Sequence, residues 1–324
     1  MVSVKKFVIL FGLLIFVFIL SSINLESVLE ILFLIKFDFF IISLLLLFII
    51  LILKAFKWKL ILKSQNTEIS LLNSLKYFLI GFFFSSFTPG RIGDVTRATY
   101  LSQSSSLALA VSSVVLDRVV DIVLLVIFAS LALLAFFFTY NLIVLPFEIL
   151  ILIGVLIFAV IFLLFKEKYL RIILRPAFNL IIPENFKKKI KIGFSDFFSS
   201  IKLIFQNKSE FLLAVITGIV IWIISIIFSY SLALSINLNI PFEFMFLLYP
   251  IITLADILPI SVSGLGTRDA MIIFLFSFIY FTPEQAVSFS ILLFLVGYVF
   301  IALIGYLLFL SEPIELKKML QENF

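Results

Sequence analysis

The chain has 324 residues, of which 64% are hydrophobic and only 13% are charged, whereas about a quarter of the residues of a soluble globular protein are charged. It contains neither cysteine nor histidine, which excludes disulfides, thiol nucleophiles, Cys/His metal sites and acid–base chemistry by histidine. The net charge of +5 comes from basic residues dispersed along the chain, and we expect no nucleic-acid partner, no cofactor and no bound metal.

Six segments are apolar enough to cross a membrane, for which a helix needs roughly 20 mostly apolar residues. In chain order they are 7–22, 39–56, 122–138, 149–165, 211–235 and 286–310. The first has the basic start of a signal peptide, but its apolar stretch is long and no small-residue cleavage pattern follows it. We therefore expect it to remain as a span. The sequence predicts an all-α, polytopic integral membrane protein.

The distribution of lysine predicts the orientation of these spans. Apart from Lys36, every lysine precedes the first span, lies at the end of the second, or follows the second, fourth or sixth span. Loops rich in lysine and arginine stay in the cytoplasm. We expect a multi-pass protein of the plasma membrane with both termini in the cytoplasm.

A hairpin is predicted between the second and third spans, where the chain starts and ends inside. Residues 71–88 are apolar, but the return, "VTRATYLSQSSSLALAVSS", is too polar to face lipid. A re-entrant hairpin that enters from the cytoplasm and turns at "TPGRIG" fits better than two full spans. The candidate binding residues in and after this turn are Pro89, Gly90, Arg91, Gly93, Asp94 and Arg97.

A second hairpin is predicted between the fifth and sixth spans, where the chain starts and ends outside. Here "FEFMFLLYPIITLADILPI" enters, "SVSGLGTRD" turns and "AMIIFLFSFIYF" returns. The candidate binding residues of this turn are Ser261, Ser263, Gly264, Gly266, Arg268 and Asp269. The halves 39–138 and 211–310 then form an inverted repeat within a single domain, 1–324. Such repeats are typical of secondary transporters, whose sites form near the midplane from interrupted helices.

The residue types of the two turns indicate an anionic ligand. Non-helical backbone at membrane depth must be buried in protein or line a wet cavity, and glycine permits the tight turns that this requires. The free N–H groups at the start of a returning helix favour an anion. Arg91, Arg97 and Arg268 add planar donors that suit phosphate. We predict a phosphate-bearing lipid headgroup as the ligand.

Charged residues also interrupt the apolar segment "VVLDRVVDIVLLV". Asp117 and Asp121 are one helical turn apart on one face, and Arg118 is three residues from Asp121. We expect these residues to form an ion-pair network that holds Arg91 or Arg97, and direct contact with the ligand is the alternative. Asp256, in "TLADILP", is a candidate for carrying a coupling proton or cation.

Simpler interpretations exist for the same charges. Arg91, Asp94 and Arg97 are also compatible with an interfacial position from which they reach lipid headgroups. Arg268 and Asp269 are also compatible with mutual neutralisation at a turn.

Three motifs resemble, in order and spacing, signatures of the flippase-like membrane family named after the transmembrane region of lysylphosphatidylglycerol synthase. They are "FTPGRIGDVTRATYL", "SVVLDRVVDIVLL" and "DILPISVSGLGTRDAMIIFL", and the resemblance covers about Lys5 to Leu310. The family's motif positions match Pro89, Gly90, Arg91, Gly93 and Asp94 in the first, Arg118 and Asp121 in the second, and Gly264, Gly266, Arg268 and Asp269 in the third.

The resemblance implies movement of a lipid between leaflets. In that family the region is held to move aminoacylated phosphatidylglycerol, and related proteins accompany glycosyltransferases that act on polyprenyl-phosphate lipids. The synthases also carry a soluble aminoacyl-transfer domain, to which nothing in this sequence corresponds. The resemblance therefore implies lipid translocation and not aminoacyl transfer.

The leading hypothesis is a flippase, not an enzyme, that moves a phospholipid or a polyprenyl-phosphate-linked lipid with its headgroup held by the arginines of both turns. The sequence has no nucleotide-binding motif, so the energy would come from an ion gradient or from the lipid's own gradient. One alternative is a membrane enzyme that uses Asp94 or Asp121 as a base or metal ligand on a lipid headgroup. The other is a non-transporting partner of a glycosyltransferase or lipid synthase.

Overall fold

A computed structural model of the chain describes residues 14–88, 93–103, 105–140, 195–257 and 263–312, together with 154, 155, 162 and 169. These residues form helices and connecting segments and contain no strand, which confirms the all-α prediction. Four of the helices are long and apolar enough to cross a membrane, or five spans if a bent pair is counted as one. The predicted span at 149–165 lies almost entirely outside the described residues.

The main helices of the described residues follow one another along the chain. They are α1 (Leu14–Ser21), α2 (Leu25–Phe33), α3 (Phe37–Ser64), α4 (Leu71–Ser86), α5 (Thr96–Leu101), α6 (Leu107–Tyr140), α7 (Lys208–Ser235), α8 (Phe242–Ile257), α9 (Thr267–Ser277) and α10 (Pro283–Ser311). Residues 195–202 are also helical. Within α10, the segment Leu295–Phe300 is a π-helical turn.

The first predicted span ends at a sharp bend. Helices α1 and α2 meet at 91°. The Asn24 side chain accepts hydrogen bonds from the backbone N–H groups of Glu26 and Ser27, so it caps α2 and starts a new helix direction.

Helices α3 and α7 pack along each other in opposite directions. At one end, the backbone N–H of Lys36 donates to the carbonyl of Ser235 over 2.7 Å. At the other end, the side-chain amide of Asn207 donates to the carbonyl of Ser64 over 3.2 Å. This antiparallel pair defines two ends of the bundle, which we call the Ser64 end and the Ser235 end.

Helices α4 and α5 form a hairpin that starts and ends at the Ser64 end. Helix α4 begins after a short loop from Ser64, and its start is capped by Ser70, whose hydroxyl accepts from the N–H of Asn73. Lys76 of α4 forms an ion pair with Glu312 after α10. Near the end of α5, the Tyr100 hydroxyl donates to the carbonyl of the same Glu312 over 3.1 Å.

Helices α8 and α9 form a second hairpin at the Ser235 end. Helix α8 begins after a short loop from α7, with the ring of Phe242 against Tyr230 at 5.2 Å. Helix α9 leads to Thr282, which caps α10 by accepting from the N–H of Gln285. Because α10 ends beside the α4–α5 hairpin, its beginning lies at the Ser235 end.

The packing pairs of the first half recur in the second half. Helix α4 packs against α10 and α8 packs against α6, while α5 packs against α6 and α9 against α10. The largest apolar core is formed by residues of α3, α4, α6, α7, α8, α9 and α10. Exchanging the halves around the α3–α7 pair therefore reproduces these four packing pairs.

Two predicted boundaries are corrected. Helix α3 continues to Ser64, so Lys57, which follows the predicted second span, lies inside the helix, and Lys54 lies well before the end of the helix. Helix α6 begins at Leu107, well before the predicted start of the third span at residue 122. The polar residues that suggested loops are satisfied inside the bundle, as when the Trp58 indole donates to the Ser113 hydroxyl over 3.1 Å.

Candidate functional site

The described residues that flank the two predicted turns meet inside the bundle. The Ser263 hydroxyl, in the second turn, donates to the carbonyl of Ser86, the last residue of α4, over 2.8 Å. Ser263 has a φ of 51°, a left-handed conformation that non-glycine residues rarely adopt. The hairpins enter from opposite ends of the bundle, so this hydrogen bond joins the tips of two oppositely directed hairpins.

Close backbone approach explains two glycines at the first turn. A Cβ atom at Gly93 would lie 2.3 Å from the carbonyl oxygen of Phe84, and the Gly93 N–H donates to the Thr88 hydroxyl over 2.8 Å. On α4, a Cβ atom at Gly81 would lie 2.9 Å from Oδ1 of Asp94. The turn therefore folds back onto α4 and presses Asp94 against it.

Arg97 of α5 lies in the interior with carboxylates on one side and rings on the other. Its Nη2 is 2.6 Å from Oδ2 of Asp117 and 3.1 Å from Oδ2 of Asp94. Its guanidinium carbon is 4.8 Å from the centre of the Trp58 ring and 5.7 Å from that of Phe78. The Arg97 side chain is 0% exposed, so the ion pairs and the cation–π contacts together compensate a fully buried charge.

Two further cations complete this arrangement. Arg118 donates from Nε to Oδ2 of Asp94 over 2.7 Å. Lys57 of α3 lies 2.9 Å from Oδ1 of Asp117 and also forms an ion pair with Asp121. We call the resulting group of three cations and three carboxylates the six-charge cluster; it consists of Lys57, Asp94, Arg97, Asp117, Arg118 and Asp121.

The second turn is built around Arg268 and Asp269 at the start of α9. Gly266 has a φ of 84°, and its N–H donates to Oδ2 of Asp269 over 2.7 Å. Arg268 donates from Nε to the Ser290 hydroxyl over 3.0 Å, and that hydroxyl donates to Oδ1 of Asp269. The Arg268 guanidinium lies over the ring of Phe294 at 5.3 Å, and its Nη2 is 3.5 Å from Oδ1 of Asp269.

Asp256 connects the second turn to the π-helical turn of α10. Its Oδ2 accepts a hydrogen bond from the Tyr298 hydroxyl over 2.6 Å. A Cβ atom at Gly264, where φ is 75°, would lie 1.9 Å from Oδ1 of Asp256. The carboxylate is therefore packed directly onto the backbone of the turn.

Several buried polar atoms at the two turns have no hydrogen-bond partner among the described residues. They are Nε and Nη1 of Arg97, Oδ1 of Asp94 and Nη1 of Arg268. Buried polar atoms are nearly always hydrogen-bonded. Both buried arginines therefore have N–H groups that can donate hydrogen bonds to a polar ligand or a water molecule at the turns.

A cavity of about 150 Å³ lies between α3, α4, α6, α7, α8 and α10. Among the described residues, the charged side chains that line it are Lys54, Arg118, Asp121 and Asp256. The Arg118 and Asp121 side chains are each 28% exposed, whereas Arg268 is 1% exposed. The accessible charged side chains of the site therefore line the cavity, whereas the buried Arg97 and Arg268 do not line it.

Comparison with known proteins gives a family for this arrangement. The family model of the lysylphosphatidylglycerol synthase transmembrane region matches residues 5–305. The chain belongs to this family. A relative, the UPF0104 membrane protein MJ1595 of Methanocaldococcus jannaschii, is 27% identical over 316 residues, which cover 93% of each chain. No solved structure matches the chain.

Membership of the lysylphosphatidylglycerol synthase transmembrane family confirms the resemblance drawn from the three motifs. The structure also brings the motifs together as expected, since Asp117 pairs with Arg97 and the two turns meet.

The interfacial interpretation of Asp94 and Arg97 is wrong, because both side chains are buried in protein. Pairing of Arg268 with Asp269 is observed, although Ser290 and Gly266 share it. Headgroup binding stays a prediction, and Pro89, Gly90, Arg91 and Ser261 lie outside the described residues.

Four residues of the site were not among the site residues predicted from the sequence: Lys54, Lys57, Ser290 and Tyr298. Lys54 and Lys57 are three residues apart and therefore share one helix face. The apolar residues around them continue to Leu62. This apolar pattern indicates that the helix continues beyond the two lysines. Ser290 and Tyr298 have no signal of their own, because serine and tyrosine are common in apolar helices.

Proposed function

We propose that the protein moves a phosphate-bearing lipid, a phospholipid or a polyprenyl-phosphate-linked lipid, between the two leaflets of the membrane. The headgroup passes through the cavity while the tails stay in the bilayer. The observation that carries this proposal is the hydrogen bond between Ser263 and Ser86. It joins the end of α4 to the turn between α8 and α9, beside a cavity with charged walls, and this contact supports two opposed hairpins that share one site.

The opposed hairpins support a re-entrant, inverted arrangement. Helices α4 and α8 each have 16 residues and are about 24 Å long, which is less than the hydrocarbon thickness of about 30 Å. Each hairpin returns to the end from which it entered, and the packing pairs of one half recur in the other. Inverted repeats with broken helices at the midplane are a common architecture of secondary transporters.

Cationic groups in and behind the cavity support a phosphate as ligand. Lys54 and Arg118 lie on its wall, and guanidinium groups bind phosphate oxygens with paired N–H donors. Arg97 and Arg268, at the two turns, have buried N–H groups without a partner among the described residues. If the cavity opens to one side and then to the other, these groups become available to the headgroup in turn.

The orientation that we propose follows from the lysine distribution. Lys59 and Lys63 lie at the Ser64 end of α3, and loops of this charge face the cytoplasm. The α4–α5 hairpin then enters from the cytoplasm and the α8–α9 hairpin from outside. We propose the plasma membrane as the location, with both termini in the cytoplasm, and a glycosyltransferase or lipid synthase as a functional partner.

The state of the carboxylates favours transport over catalysis. Asp94 is buried and accepts from two arginines, and Asp121 is paired with Lys57. A general base needs access to the proton that it removes, and a metal ligand needs free lone pairs. We therefore propose that these residues hold the structure of the site and have no catalytic role.

Purified protein in liposomes tests the function with fluorescently labelled phosphatidylglycerol. We expect the wild-type protein to equilibrate the label between leaflets much faster than protein-free liposomes. Lys54→Gln removes one charge-assisted contact from the cavity wall and should slow the movement about tenfold. Lys59→Gln, beyond Lys54 on the same helix and outside the cavity lining, is the matched control and should keep the wild-type rate.

Equal rates for wild-type protein and protein-free liposomes, over phosphatidylglycerol and a polyprenyl phosphate, contradict the proposal. A chemically altered lipid whose formation stops on chelation would show the enzyme alternative. A full rate in Lys54→Gln would show that the headgroup does not use this cavity.

A further inference from the structure

The charges on the cavity wall limit what an anionic headgroup can do there. Among the described residues, the lining holds two cations, Lys54 and Arg118, and two carboxylates, Asp121 and Asp256. These formal charges cancel. A phosphodiester brings one additional negative charge, and an uncompensated charge inside the membrane is costly. One more positive charge has to enter with the headgroup, or one carboxylate has to become neutral.

Asp256 is the carboxylate whose contacts best tolerate neutralisation. Asp121 is held by the buried ammonium of Lys57, so its protonation would leave that cation with less compensation. Asp256 accepts from the hydroxyl of Tyr298, and a phenol can either donate or accept. The hydrogen bond between Asp256 and Tyr298 therefore survives when the carboxyl group gains a proton.

The space around Asp256 favours a proton over a metal ion. Its Oδ1 packs so closely on the second turn that a single Cβ atom at Gly264 would lie 1.9 Å away. A sodium or potassium ion needs several oxygen ligands around it, and the Tyr298 hydroxyl points its hydrogen toward Oδ2. A proton needs only a lone pair of the carboxylate.

The titratable and charged groups that face Asp256 come from four neighbouring elements. Tyr298 approaches from α10, and the Cβ atom of Arg268 lies beside Gly264 at the start of α9. Arg118 and Asp121 line the same cavity from α6, and Lys54 does so from α3; Tyr249 is on α8 itself. The described lining from α4 and α7 is aromatic, aliphatic or serine.

We infer that the protein carries one proton with each anionic headgroup, and that Asp256 binds this proton. Protonation raises the formal charge of the described lining by one, which compensates the phosphodiester. After the headgroup leaves, Asp256 is ionised again while the protein returns to its starting conformation. The formal charges of the described lining and its contents therefore sum to zero in both the loaded and the empty state. This inference rests on the proposed lipid transport and adds its energy source, the proton gradient.

The experiment uses the full chain in liposomes with labelled phosphatidylglycerol and a pH difference of one unit. Potassium is equal on both sides and valinomycin holds the electrical potential at zero. A membrane-impermeant quencher reports the label in each leaflet. Coupling of one proton to one headgroup predicts a leaflet ratio of about ten toward the alkaline side, because a tenfold proton ratio balances a tenfold lipid ratio.

Asp256→Asn is the decisive variant, because an amide keeps an acceptor for Tyr298 and cannot titrate. We expect it to leave a leaflet ratio near one at the same pH difference. Glu243→Gln is the matched control, since Glu243 is exposed at the start of the same helix. This control should keep the ratio of about ten.

The outcomes separate this inference from the proposed function. Rapid equilibration in the wild type with a ratio of one overturns coupling and leaves transport intact, whereas no movement in the wild type overturns both. A ratio near ten in Asp256→Asn shows that another group carries the proton. If Asp256→Asn does not fold, the wild-type protein is tested with an electrical potential and no pH difference. Our account predicts that the leaflet ratio stays at one. If the anionic lipid moves without a proton, the electrical potential shifts the leaflet ratio away from one.

Discussion

The two turns of the protein bury an arginine in different ways. At the first turn, Arg97 lies between two carboxylates within a cluster of six charges. At the second, Arg268 has one adjacent carboxylate, and a neutral hydroxyl of Ser290 takes the position of a charged partner. Ion pairs with Asp117 and Arg118 hold the first turn to α6, and a cation–π contact of Arg97 with Trp58 joins it to α3, whereas the second turn has, in the described part of the chain, a single ion pair, between Arg268 and Asp269. This difference suggests that the second turn changes conformation more easily.

Breaking the six-charge cluster should have the largest effect. Asp117→Ala leaves the buried cations Lys57 and Arg97 without a shared carboxylate, and loss of one partner of a buried pair costs about 3–5 kcal/mol. We expect a strong loss of thermal stability in detergent, measured by the unfolding temperature of purified protein. Asp121→Ala is the control within the cluster, because this carboxylate is 28% exposed and water replaces part of the lost interaction. Equal losses for the two variants would contradict the description of the cluster.

Filling the space behind the first turn should have the next largest effect. At Gly93 an added Cβ atom would lie 2.3 Å from the carbonyl oxygen of Phe84, so Gly93→Ala must displace backbone at a cost of about 3 kcal/mol. Gly297→Ala is the matched control, since nothing lies within 4 Å of the corresponding Cβ position. The same unfolding measurement should show a loss only for Gly93→Ala. A stable Gly93→Ala would show that the turn does not pack on α4.

A smaller effect is expected at the second turn. Ser290→Ala removes an acceptor for Arg268 and a donor for Asp269, and unsatisfied buried groups cost about 1–3 kcal/mol. We expect a lower unfolding temperature than in the wild type but a smaller decrease than in Asp117→Ala. Ser277→Ala, at the exposed end of α9, should be neutral. A loss in Ser290→Ala as large as that in Asp117→Ala would remove the contrast between the turns.

The parts of the fold that the sequence predicts well are those with local signals. The start of α4 and its end near residue 86 follow from an apolar run that ends before a Pro-Gly turn, and α8 and α9 follow from the same pattern. The start and end of α10 lie within three residues of their prediction. In each case the break is encoded by residues that sit at the break.

The parts that could not be predicted depend on contacts between distant segments. Lys57 looks like the start of a loop until Asp117 and Asp121, more than 50 residues away, appear beside it. The choice between an interfacial Arg97 and a buried one likewise depends on Asp117. Composition and spacing identified most of the charged residues of the site, but only the packing of α3, α5 and α6 shows which charges are buried and which line the cavity.

The meeting of the two turns is the central claim, and a disulfide tests it directly. The chain has no cysteine, so Ser86→Cys with Ser263→Cys introduces a single pair, at positions joined by a hydrogen bond of 2.8 Å. The control combines Ser86→Cys with Ser277→Cys, at the far end of α9. In native membranes under mild oxidation, we predict a disulfide in the first pair and none in the second. If the first pair fails to form a disulfide while the second does, the tips of the hairpins do not meet and the account is wrong.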